Sequence, residues 1–168
     1  MKAQLLLTVA ISIVMLPEIS LAGAGGTSCA EAREIFPDST YVGDTSANTN
    51  FIGAFGPLPS PGPDAVYKFV SSGQPKGSIF VTLTGSWNGA IIMTASCGGN
   101  AGNAIQAATG PASSISMPVD DGSGGPLTAG NTYYVYITGN PSDNSGPSGA
   151  YTMTTWFIPV TLQSFSIE

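Results

Sequence analysis

The chain has 168 residues, of which 22 are glycine, 13 are proline and only 8% are charged. That excludes a helical bundle and fits one domain of short strands broken by frequent turns. Ten acidic against four basic residues and no histidine leave a net charge of -6, with no electrostatic footprint for nucleic acid or an anionic lipid surface.

Lys2, the apolar run 5–16 and the small residues Ala22-Gly23-Ala24 follow the charged, apolar, cleavage-site order of a secretory signal peptide. Residues 1–24 are therefore read as a signal peptide cleaved after Ala24, with cleavage after Ala22 as the alternative. The run is too short for a spanning helix and is ended by Pro17 and Glu18, so no stable membrane span is expected. The mature chain is expected to be secreted, to the periplasm, the cell surface or the medium.

Residues 25–157 read as the folded domain. Ser28-Cys29-Ala30-Glu31 has capping-box spacing and predicts a short helix to about Ile35, which Pro37 stops. Residues 40–43 form a short strand leading into a polar loop, 44–50. Four prolines in residues 56–63 predict an extended, polyproline-like loop.

In 65–70, Val66, Lys68 and Val70 alternate with Tyr67 and Phe69, giving a central strand apolar at most positions. In 78–83, Ile79, Val81 and Leu83 share a face, and Gly85-Ser86-Trp87-Asn88-Gly89 turns the chain into 90–94, a predicted hairpin. Residues 98–112 read as a Gly, Ala and Asn loop and 114–119 as a short strand. In 132–138, Tyr133, Val135 and Ile137 face one way and Tyr134 and Tyr136 the other; in 150–157, Tyr151, Met153 and Thr155 alternate with Thr152, Thr154 and Trp156.

Several of these pieces occur in a familiar order: Cys29, Gly43-Asp44-Thr45, Pro63-Asp64-Ala65-Val66-Tyr67-Lys68-Phe69, Gly85-Ser86-Trp87-Asn88, Ser96-Cys97-Gly98, Leu127-Thr128-Ala129-Gly130-Asn131-Thr132-Tyr133-Tyr134 and Gly149-Ala150-Tyr151-Thr152. From about Cys29 to Phe157 the chain resembles the bacterial pre-peptidase C-terminal domain family. The resemblance implies an all-β, jelly-roll-like antiparallel β-sandwich of the kind carried by secreted proteases and other exported proteins.

An exported chain with two cysteines is expected to pair them, Cys29 with Cys97. A reactive thiol would need a basic neighbour, and only Arg33 is near in sequence. The missing histidine removes the usual general base and the commonest zinc ligand. Asp38, Asp44, Asp64, Asp120, Asp121 and Asp143 all fall in apparent turns, where aspartate serves the backbone. No catalytic or cofactor motif is present, and no enzyme and no cofactor is expected.

Calcium is the one metal with candidate ligands, Asp120, Asp121 and Asp143 with Asn140 or Asn144, from neighbouring loops. If the last two strands pair, Tyr134 and Tyr136 lie beside Trp156 in an outward aromatic strip able to stack on sugar rings or on another protein. Trp87 is either a loop-tip contact or a lid over the core. The expected partner is an extracellular polymer, glycan or protein. Residues 158–168 extend past the domain as an apolar segment that docks on its own sheet or adds as a strand to a neighbouring copy, making a homo-oligomer.

Overall fold

Alternation with a period of two sends successive side chains to opposite faces of a sheet, so each strand must find one apolar space and one covering or solvent. The computed structural model describes residues 25–55, 58–59, 62–73, 77–98, 104–110, 114–140, 142–143 and 146–157, with 54–55, 58–59 and 157 as backbone alone. The expected signal peptide and residues 158–168 lie outside them.

The strands are β1 (Arg33–Glu34), β2 (Thr40–Asp44), β3 (Ala54–Phe55), β4 (Leu58–Pro59), β5 (Ala65–Val70), β6 (Gly77–Leu83), β7 (Gly89–Thr94), β8 (Ala104–Gly110), β9 (Ile115–Pro118), β10 (Thr132–Gly139) and β11 (Ala150–Phe157). Among the described residues they form a five-stranded sheet in the order β1-β5-β10-β7-β8, a four-stranded sheet in the order β2-β11-β6-β9, and the small pair β3-β4. Every pairing is antiparallel except that of β1 with β5. The protein is an all-β sandwich.

Between the sheets the alternation delivers Tyr67 and Phe69 from β5, Tyr133, Val135 and Ile137 from β10, Ile91 and Met93 from β7, Ile79 and Val81 from β6, and Tyr151 and Met153 from β11. Phe69 and Tyr133 stack at 5.7 Å. The hydroxyls of Tyr67 and Tyr151 meet across the core at 2.6 Å. Burial raises both phenols above their ordinary value, so the pair is a neutral hydrogen bond that answers the polar ends of two buried rings.

Four expectations are corrected. The helix over 28–35 does not form: Glu31 and Ala32 donate to Ser28 and Cys29 in single turns, and the chain then runs alongside β5 as β1. Gly26 exchanges two hydrogen bonds with Val66, so the edge of β5 wins this segment from local helix propensity. Residues 78–83 and 90–94 are not a hairpin, because β6 and β7 belong to opposite sheets. Residues 104–110 within the expected loop are a strand, β8. Within the proline-rich stretch, Leu58–Pro59 pairs with Ala54–Phe55.

The crossing from β6 to β7 is held by Trp87, which is buried at the end of the core. Its Nε1–H donates to the Ala150 carbonyl at 3.1 Å. A Cβ on Gly149 would lie 2.7 Å from the indole ring, so glycine lets the β10-β11 connection close over it.

The outer face of the five-stranded sheet is itself covered. Val66, Ile92 and Tyr136 pack with Cys29, Ala32 and Ile52 in a second apolar cluster, against which Phe51, Ala104 and Tyr134 rest. Cys29 and Cys97 form a disulfide, and the Cys29 sulfur lies 3.4 Å from the Tyr136 hydroxyl. The amino-terminal segment is thus fastened over this sheet by backbone, apolar contact and a covalent bond.

Candidate functional site

The four-stranded sheet has the opposite fate, because its outward positions meet solvent. Register places Thr40, Thr154, Phe80 and Ser116 in one row across β2, β11, β6 and β9; Val42, Thr152 and Thr82 make a second row; Trp156, Ser78 and Pro118 make a third. Trp156 is 52% exposed, Val42 49% and Phe80 43%. Trp156 and Phe80 are diagonal neighbours on adjacent strands, a spacing of about 7–8 Å between backbones that long aromatic side chains can share.

Around these rings the face is a lawn of hydroxyls, with the Thr40 and Thr154 side chains 3.5 Å apart. Each hydroxyl can donate and accept. These rows carry no ionisable side chain; Asp44 is the next outward position on β2 beyond them, at one corner. The Ser46 side chain and then its amide hold the Asp44 carboxyl below its ordinary value, so that corner stays ionised.

The expected aromatic strip divides between the two sheets. Strands β10 and β11 do not pair, so Tyr134 and Tyr136 lie on the outside of one sheet and Trp156 on the outside of the other. Tyr136 is fully buried and Tyr134 partly buried beneath the covering segments. With Trp87 buried as well, neither it nor Tyr136 offers a ligand an accessible ring, and Trp156 alone of the four stands free on a surface.

The calcium candidates are not brought together. Asp120 accepts from the Gly122 amide and the Gln106 side chain, near the start of β6, where Val119 bonds Gly77. Asp121 accepts from the Ser123 and Gly125 amides at 2.8 and 2.9 Å, which hold it below its ordinary value. Asp143 accepts from Asn88 at 3.1 Å in the turn beyond the other end of β6, and donates its amide to Asn140. Asn144 lies outside the described residues. Among the described residues no group of three or more acids and cysteines converges on a metal-binding point.

Asp64 differs from the ordinary turn aspartate expected at its position. Asp64 is completely buried. Its Oδ2 accepts the amides of Phe51, at 2.6 Å, and Ile52, while its Oδ1 has no hydrogen-bond partner. Desolvation pushes the carboxyl up to about 6, against the opposing pull of Thr138 and the two amides. The available signal was its position directly before β5, a strand apolar on both faces, which leaves an acid there little water.

No family model and no curated protein matches the sequence. Among solved structures the chain is similar to the pre-peptidase C-terminal domain of collagenase from Bacillus anthracis, with a TM-score of 0.46 and 14% identity over 73% of this chain and 92% of that one. Such a likeness concerns strand layout, and function must be argued from the surface itself. No helix among the described residues is long and apolar enough to cross a membrane.

Proposed function

We propose that the protein is a secreted, non-catalytic β-sandwich module that binds an uncharged, hydroxyl-rich extracellular polymer, a neutral glycan, on the outer face of β2, β11, β6 and β9. The observation that carries this reading is the exposed Trp156 with Phe80 diagonal to it, set among threonine and serine hydroxyls. Apolar ring faces suit the C–H faces of sugars, and hydroxyls suit a partner that both donates and accepts. A protein of net charge -6 that keeps its acids off this face apart from Asp44 has nothing there to hold an anionic or strongly cationic polymer. The Cys29–Cys97 disulfide supports an oxidising, extracytoplasmic destination. The reading includes no metal and no cofactor.

The test is adsorption of the mature protein to insoluble neutral polysaccharides, cellulose, chitin and β-1,3-glucan, with alginate as the anionic control. Wild type is expected to adsorb to at least one neutral polymer, and the Trp156→Ala, Phe80→Ala double variant to lose at least tenfold in affinity. Equal adsorption of the two proteins, or retention on alginate alone, overturns the reading.

A second reading is favoured by β8. It is an edge strand, and Ala104–Gly110 carries neither charge nor proline, the devices that keep edges from pairing with other chains. Residues 158–168 of another copy could add there, making the protein a subunit of a surface assembly. Light scattering of the mature protein with and without residues 159–168 decides: large species that collapse on truncation favour assembly, and monomers in both remove it.

A further inference from the structure

Asp64 sits where two parts of the molecule are joined. Its backbone belongs to the entry of β5: the amide donates to the Thr49 carbonyl at 3.0 Å, and its own carbonyl accepts from the Asn48 side chain at 2.8 Å. Its side chain reaches the same loop by the amides of Phe51 and Ile52. Ile52 in turn is buried against Val66, Ile92 and Tyr136. The carboxyl group therefore fixes Phe51 and Ile52 over the outer face of the five-stranded sheet, while Thr45 at the start of the loop is held separately by Gly149.

That carboxyl is poorly suited to carrying a charge. It is sealed from water, and although the Thr138 side chain and two amides favour the charged form, Oδ1 has no hydrogen-bond partner, whereas a buried carboxylate is stable only when its lone pairs are answered. A protonated carboxyl can keep both amides on Oδ2 and removes the uncompensated charge. Ionisable neighbours are few among the described residues. On β10, Tyr136 couples to Asp64, and its phenol is raised by burial, so it stays neutral through the acid range. Lys68 is two outward positions further along β5, Glu31 in the amino-terminal segment is exposed and bonded to Thr27, and β7 and residues 45–53 carry no ionisable side chain.

We infer that Asp64 is a proton-operated latch: its protonated form holds Phe51 and Ile52 against the five-stranded sheet, and its ionisation loosens them, giving access to the apolar ground of Val66, Ile92 and Tyr136. The sign follows from the closed state binding the proton more tightly than the open one. Burial raises the closed-state carboxyl from its ordinary 3.8 to about 6. The latch is tightest below the ordinary carboxylate range and weakens as pH rises. Opening becomes about tenfold easier per pH unit between about 4 and 6, and then levels off.

The experiment is amide hydrogen exchange by NMR on the mature, disulfide-bonded protein from pH 4 to 7.5, corrected for intrinsic exchange rates, with Asp64→Asn as comparison. In wild type the opening constant at Phe51 and Ile52 is expected to rise about a hundredfold across the range. In Asp64→Asn, where an amide replaces the charge at nearly constant shape, it should stay flat and low. Parallel profiles in the two proteins overturn the latch. So do equal opening constants at Phe51 and at Val135 in the central strand throughout the range, which would mean that Phe51 and Ile52 are released only by global unfolding. A carboxyl carbon titration of Asp64 in the wild type, independent of any variant, overturns it as well if the midpoint lies near 4.

Discussion

The two outer faces of this sandwich are built from strands with the same alternating grammar, yet one has become a second core and the other a surface. On the five-stranded sheet, Val66, Ile92 and Tyr136 are sealed beneath the disulfide-bonded amino-terminal segment and Phe51–Ile52. On the four-stranded sheet, Val42, Phe80 and Trp156 occupy equivalent outward positions and remain open. What separates them is the covering chain. Burial of an outward strand residue is a property of what crosses over it, and the energetic weight of a similar side chain differs accordingly.

The sharpest way to break this comparison is to release the cover. Removing the disulfide by the double change Cys29→Ser, Cys97→Ser should cost about 4 kcal/mol, because the bond closes a loop with a sequence separation of 68 and restrains the unfolded chain accordingly. Denaturant unfolding with and without reductant measures it, and a loss below about 1 kcal/mol would mean that the cover holds by apolar contact alone. Next in size, Ile92→Ala beneath the cover should cost about 3 kcal/mol, as a cavity among fully packed neighbours does. Phe80→Ala, a larger truncation on the bare face, should change stability by no more than about 0.5 kcal/mol; comparable losses at both positions would erase the distinction. Between these, Tyr67→Phe removes the hydroxyl contact to Tyr151 common to both sheets and is expected to cost about 1 kcal/mol, read from the shift in unfolding midpoint.

The alternation was legible because it is local. The inward sets Ile79, Val81 and Leu83, then Tyr133, Val135 and Ile137, and then Tyr151 and Met153 are the faces seen in the core. Sheet membership was not legible, because a short glycine-containing connection, residues 84–88, serves a hairpin or a crossing equally. Here the decision was made by Trp87 entering the core and bonding Ala150, a residue 63 positions away in sequence. Likewise β8, with three alanines and a glycine among its seven residues, has weak intrinsic strand preference and owes its conformation to pairing with β7. Ser28 and Glu31 do shape a turn, but Val66 and Lys68 claim the backbone on either side. Of the candidate surface, Trp156 was visible as an outward aromatic, whereas its true neighbour Phe80 became apparent only once β11 was seen to pair with β6.

The crossings between sheets also set a clock. Strand β2 has β11 as its neighbour in the sheet, and Thr40 meets Thr154 across 114 residues of sequence. A chain emerging from its amino terminus therefore holds β2 unpaired, and β6 paired with β9 alone, until the last strand arrives to join them. Such non-local wiring makes folding slow and all-or-none.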